Sequence, residues 1–213
     1  LQAVLGSELG SLFADLHSSH GVRVLCGAGV AAIGDASVRL ADGTEVACDH
    51  VVVGVGVAPA TELAVAAELE VDDGVITDEY LRTSAPDVFA AGDVARAFHP
   101  RYGRHLRVEH WANALHQGPA AARSMLDRGE PYARLPYFFS DQYDLGLEYI
   151  GLHGPDDRLV VQRSTDELKL QAFWLDGDNR VTAGMHINDW GAIEAIEQVI
   201  ENGEPVDTAR AGN

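Results

Sequence analysis

Three segments in the last third of the chain, RLVVQRS, LKLQAFWL and RVTAGMHIN, alternate apolar with polar side chains. A period of two is the signature of strands with one face turned to a core, so this region must close into a sheet. Asp176-Gly177 and Asp178-Asn179 supply the turn between the last two segments. Ahead of them lies an aromatic cluster, PYFFSDQYDLGLEYIG. After them, Ile193, Ile196, Val199 and Ile200 share one face of a helix expected from about Trp190 to Ile200. The end of the chain therefore reads as a small α+β domain.

The first 130 residues have a different texture. Leu9, Leu12, Phe13 and Leu16 fall at helical spacing within residues 6–20, and Gly21 is the stop. GVRVLCGAGV reads as a short buried strand. Residues 37–53 alternate about Asp42-Gly43, a hairpin signal, and lead into VVVGVGV, a second expected buried strand. Residues 61–70 have helical propensity, and a short strand is expected at Val75-Ile76 after Asp73-Gly74. The chain turns near Ser84-Ala85-Pro86, and VFAAGDVA reads as strand and loop. A helix spans Asn113 to Leu126, ended by Gly129 and Pro131. This portion is α/β in character.

Charge and cysteine narrow the function classes. The net charge is −18, with Lys169 the single lysine, which argues against a nucleic-acid or anionic-membrane surface. No apolar run approaches the ~20 residues of a membrane helix, and no secretion signal is visible. Cys26 and Cys48 form no CxxC pair, which weakens a dithiol centre and fits a reducing cytoplasm. The chain opens at Leu1 inside a helical pattern, as part of a longer polypeptide would.

Two glycine motifs and one carboxylate stand out. Gly27-Ala28-Gly29-Val30-Ala31-Ala32 fits GxGxxA, but Gly34-Asp35 and an alternating segment follow where a dinucleotide fingerprint needs a long helix. Gly54 and Gly56 end an apolar run, either for close backbone approach to a ligand or merely for a crossover. In TSAPDVFAAGDVA, an apolar strand running into Ala-Gly-Asp puts the Asp93 carboxylate at a strand's C-terminal edge. There it can accept hydrogen bonds from a ligand's hydroxyls, or serve as a cap or turn residue. His17 and His20 lie at a helix's C-terminal end with no further ligands spaced nearby, so no metal site is expected. No Ser-His-Asp arrangement is legible.

TSAPDVFAAGDVA closely resembles the second FAD motif of the flavin-dependent pyridine-nucleotide oxidoreductases. Three further segments are similar, in order and spacing, to the ferredoxin reductase branch of that family. They are ADGT through VVVGVG, RVEHWANA, and PYFFSDQYD with its continuations LKLQAFWL and AGMHINDW. The resemblance implies an incomplete doubly wound nucleotide-binding portion followed by the reductase C-terminal domain. Its boundaries would be residues 1–53 for the rear of the NAD(P) domain, 54–130 for the rear of the FAD domain, and 131–213 for the C-terminal domain.

By the same resemblance, Asp93 holds the ribityl chain of FAD, with Gly92 and Val94 beside it in the cofactor-binding set. His110, Trp111 and neighbouring backbone meet the flavin ring, Glu109 borders the nicotinamide of NAD(P)H, and Gly56 and Phe139 complete the cofactor-binding set. Electrons would pass from NAD(P)H through FAD to a ferredoxin-type iron–sulfur protein, with no obligatory catalytic acid or base. Two departures stand out. The branch often carries tryptophan where this chain has Tyr137 and Phe139, and a Pro-Asn pair where it has Pro59-Ala60. Neither of the family's two upstream GxGxxG folds is present. Arg96, Arg101, Arg104 and Arg107 are the candidate basic patch for an acidic ferredoxin. The alternative is a non-catalytic interaction module, or a truncated fragment, resembling the apoptosis-inducing-factor-like relatives.

Overall fold

A computed structural model describes residues 2–164 and 168–206. The chain divides into two compact units, 1–56 and 57–213. In the first, helix α1 (Gln2–Ser19) bends at Gly6, and Leu5, Leu9 and Phe13 form its buried stripe. Strands β1 (Val30–Ile33), β2 (Ser37–Leu40) and β3 (Glu45–Ala47) make an antiparallel sheet in that order. The hairpin read from Asp42-Gly43 is the β2–β3 connection, where Asp42 Oδ1 accepts the Thr44 N–H at 2.9 Å. The GxGxxA stretch enters strand β1, not a helix.

Two expected buried strands are absent. Residues 22–25 and 51–57 carry no strand, and Val52 and Val55 are 95% and 89% exposed. β-Branched runs favour strands only where neighbours pair their backbone on both sides. Among the described residues nothing pairs with either run.

The second unit holds helix α2 (Glu62–Ala66), strand β4 (Val75–Thr77), strands β5 (Ala95–His99) and β6 (Arg104–Arg107), and helix α3 (Trp111–Met125). β4 pairs parallel with β5, and β5 pairs antiparallel with β6. Ala120 and Ala121 of α3 pack with Ala97, Leu81 and Tyr132 in one cluster. The strand expected ahead of Asp93 shrinks to a single bridge, Arg82 with Phe89, and residues 92–94 form one 3-10 turn that leads into β5. Asp93 thus stands before a strand, not after one. The cause is again a missing neighbour, since Phe89 finds no ladder beyond Arg82.

Beyond residue 130 the alternation becomes a five-stranded antiparallel sheet. Its strands are β7 (Tyr137–Gln142), β8 (Leu145–Gly151), β9 (Arg158–Arg163), β10 (Leu170–Leu175) and β11 (Val181–Ile187), ordered β7-β8-β11-β10-β9. Helix α4 (Ala192–Asn202) covers one face, where Ile196 and Ile200 join Ile150, Leu175 and Val181. Burying each such isoleucine contributes about 1.5–3 kcal/mol. Gly184 allows the close seat, because a Cβ there would lie 2.6 Å from Ile196 Cγ2. No helix among the described residues is long and apolar enough to cross a membrane.

Candidate functional site

The 3-10 turn and the start of α3 are tied together. Gly92 is buried with φ +75, a conformation that disfavours side chains, and an added Cβ would sit 3.5 Å from that of Ala114. Its N–H donates to Gln117 Oε1 at 2.8 Å, from the buried side of α3. This contact ties the turn that carries Asp93, whose side chain is exposed, to the second turn of α3. Val94 completes the turn, half-buried.

Helix α3 starts after His110, which is extended and makes no side-chain cap. The first N–H groups of a helix have no partner within it and favour an electron-rich ligand edge. Asn113 braces the approach: Nδ2 donates to the Val108 carbonyl at 2.9 Å, and Oδ1 accepts the Tyr132 hydroxyl at 3.2 Å. The His110 ring lies 5.2 Å from that of Phe138, and its Nδ1 is buried without a protein partner. Burial holds the His110 pKa below its ordinary value, against the opposing pull of the Tyr137 backbone, Asp93 and Glu109.

Trp111 and Phe139 are exposed and meet edge to face, 6.4 Å apart at 89°. Glu109 pairs with Arg107, which also reaches Asp73 at 3.3 Å, and these partners raise the arginine's pKa. A cavity of about 240 Å³ opens beside Trp111, with Leu115, Tyr137, Ile193, Arg134 and Glu197 in its wall. Of the expected cofactor residues, Gly92, Asp93, Val94, Glu109, His110, Trp111 and Phe139 belong to this unit. Gly56 ends the other unit, exposed, with φ +94.

Of the four arginines of the expected basic patch, Arg101 and Arg104 are exposed, and Arg96 and Arg107 are engaged by carboxylates. Arg96 pairs with Asp72 at 2.5 Å, Arg107 is held as described, and Arg101 donates to the Ile200 carbonyl at the end of α4.

Sequence reasoning missed the supports. Asn113 and Gln117 lie one helical turn apart on the buried side of α3, and two amides at that spacing were the available signal. A second missed group lies in the C-terminal sheet. Glu148 accepts a hydrogen bond from the Tyr137 hydroxyl and lies 2.6 Å from His186 Nε2, and the His186 side chain is fully buried. His186 Nδ1 accepts the Asp189 N–H at 3.3 Å, which leaves Nε2 as the proton-bearing nitrogen facing the carboxylate. Burial, then the contact with Glu148, pushes the Tyr137 phenol pKa well up.

Residues 1–118 match the model of the pyridine nucleotide-disulphide oxidoreductase family, and residues 137–213 match that of the reductase C-terminal family. The chain is 38% identical over 207 residues to the ferredoxin–NAD(+) reductase component of the anthranilate 1,2-dioxygenase system of Burkholderia cepacia, covering 95% of this chain and 51% of that protein. It is 32% identical over 220 residues to putidaredoxin reductase of Pseudomonas putida, covering 100% of this chain and 52% of that one. The crystal structure of the covalent putidaredoxin reductase–putidaredoxin complex superposes with a TM-score of 0.92 at 33% identity, over 100% of this chain and 52% of the other. The chain spans about half the length of the relatives it matches.

Proposed function

The chain belongs to the pyridine nucleotide-disulphide oxidoreductase family, in its ferredoxin reductase branch, and on that footing we propose that it forms the flavin-ring side of a reductase carrying electrons from NAD(P)H through FAD to a ferredoxin-type iron–sulfur protein. The observation that carries this reading is the Gly92–Gln117 hydrogen bond, which ties the turn bearing an exposed carboxylate to a helix that starts without a side-chain cap.

These residues fit the ring and ribityl half of FAD. Asp93 can accept from the ribityl hydroxyls, with Gly92 and Val94 keeping the backbone close. The first turn of α3, at Trp111 and with His110 before it, would hold the electron-rich edge of the ring. Phe139 would cover the ring edge toward the acceptor, and Glu109 would border the nicotinamide. Bound FAD would supply the redox chemistry that links a two-electron hydride donor to a one-electron acceptor. In this reading residues 1–53, 54–130 and 131–213 are the rear of the NAD(P) domain, the rear of the FAD domain and the C-terminal domain. Both cysteines are free thiols, which supports a cytoplasmic setting.

The relatives named above support the acceptor class, since they are a ferredoxin–NAD(+) reductase component and a putidaredoxin reductase. The test is a titration of FAD with this chain, followed by flavin fluorescence. Weak quenching that falls further in Asp93→Ala is expected. Quenching identical in wild type and Asp93→Ala would remove Asp93 from the site. No quenching by a folded chain would mean that flavin binding needs the part of the relatives' length that this chain does not span, and would leave the family membership standing.

A further inference from the structure

Glu148 and His186 take no part in the proposed flavin site, yet with Tyr137 they form a network that is complete in only one protonation state. Glu148 accepts from the Tyr137 hydroxyl and from His186 Nε2, 2.6 Å away, and His186 Nδ1 accepts the Asp189 N–H at 3.3 Å. The Glu148 charge favours a second proton on the buried ring, and the free place for it is Nδ1. There it would set one donor against another, so its arrival breaks the Asp189 contact. Asp189 belongs to the turn ahead of α4. The next residue, Trp190, stands edge-on to the His186 ring at 5.6 Å. Its indole lies where Gly146 has no side chain, since a Cβ there would be 2.5 Å from Trp190 Cη2.

The turn has a fixed end and a free one. Asn188 exchanges backbone and side-chain hydrogen bonds with Gly146, both at 2.8 Å, and its Nδ2 donates to the Asp144 carbonyl at 2.9 Å. Gly191, exposed and with φ +93, is a hinge at the other end, with nothing within 4 Å of its Cβ position. Between them Asp189 is held by His186, by Gln171 Nε2 at 2.7 Å and by the Ala192 N–H at 3.0 Å. We propose that Tyr137, Glu148 and His186 form an acid-sensitive latch, which holds Asp189 and Trp190 on the sheet while His186 is neutral and releases them when it is protonated. The other titratable groups of the elements around the pair are Asp141 on β7, Asp144 in the β7–β8 turn, Asp189 itself, Glu194 in the first turn of α4 and Lys169 just ahead of β10. Among the described residues no lysine or arginine forms an ion pair with Glu148.

The experiment follows the 213-residue chain, carrying 5-fluorotryptophan, by fluorine NMR from about pH 8 down to about pH 5. The chain has three tryptophans, and Trp190→Phe assigns the signal of interest. That signal should move in a one-proton step, and His186→Gln should abolish the step. Tyr137→Phe removes one donor from Glu148, so the midpoint should rise by at least about 0.3 of a pH unit. Amide exchange, corrected for its intrinsic pH dependence, reads the release itself. At the acid end the Asp189 amide should lose at least about tenfold of its protection, while amides of the β8–β11 ladder keep theirs. The proposal is overturned by a Trp190 signal that stays fixed, by a step that survives His186→Gln, or by a midpoint unmoved in Tyr137→Phe. It is overturned equally by an Asp189 amide still protected after the step, or by loss of ladder protection in the same step, which is unfolding. Should His186→Gln not fold, the Tyr137→Phe midpoint and the Asp189 amide decide.

Discussion

At Gly92 a single buried N–H depends on one side chain, Gln117. Gln117→Leu keeps the volume and removes the acceptor, so urea unfolding should show a loss of about 1–3 kcal/mol. Asp93 presents the contrasting case. Its carboxylate is exposed, so Asp93→Ala should leave stability within about 0.5 kcal/mol while weakening flavin quenching. Two histidines make stability depend on pH. Burial holds His99 and His110 below the ordinary value of 6.5, so the folded chain favours neutral rings and the unfolded chain binds protons more readily. Their contribution is therefore complete above pH 6.5 and is lost as pH falls through the lowered folded values. Urea midpoints taken down from neutral pH should show this slope, and the double variant His99→Gln, His110→Asn should flatten it. The string Ala-Gly-Asp singled out Asp93 and predicted a place after a strand, whereas Asp93 stands in a turn before one. Glu148 and His186 were not legible in the sequence, because their meeting depends on the pairing of β8 with β11.

Elements announced themselves wherever their own residues decide the outcome. Asp42-Gly43 sets the β2–β3 hairpin locally, and the alternation after residue 130 needs only adjacent strands of the same domain. Residues 22–25 and 51–57 have strand composition yet carry no strand, because a ladder is a property of neighbours. Helix α4 is placed by one missing side chain on the strand beneath it. Gly184→Ala would push a methyl group to within 2.6 Å of Ile196 Cγ2, so thermal or urea melts should show about 1–3 kcal/mol of destabilisation. Ile196→Ala on that background should cost less than Ile196→Ala alone, the sign of two residues sharing one space.

For the molecule as a whole, the acid excess and the exposed valines lead to separate expectations. Repulsion within a chain of net charge −18 is screened by salt, so the melting temperature should rise between about 20 and 200 mM sodium chloride. Val52 and Val55 contribute little to this chain's own folding. Replacing either with Asp should change its stability by less than about 0.5 kcal/mol, as read by urea unfolding.

The strand order β7-β8-β11-β10-β9 also sets a timetable. The β7–β8 hairpin and the β9–β10–β11 meander each join near neighbours in sequence, so each can form early. The β8–β11 ladder must wait for a long loop to close, as its Glu148–His186 pair, 38 residues apart, makes plain. That pair is a clock for the final zipping of the sheet. Substitutions there should speed unfolding far more than they slow refolding, whereas changes in the β10–β11 turn should act mainly on the refolding rate.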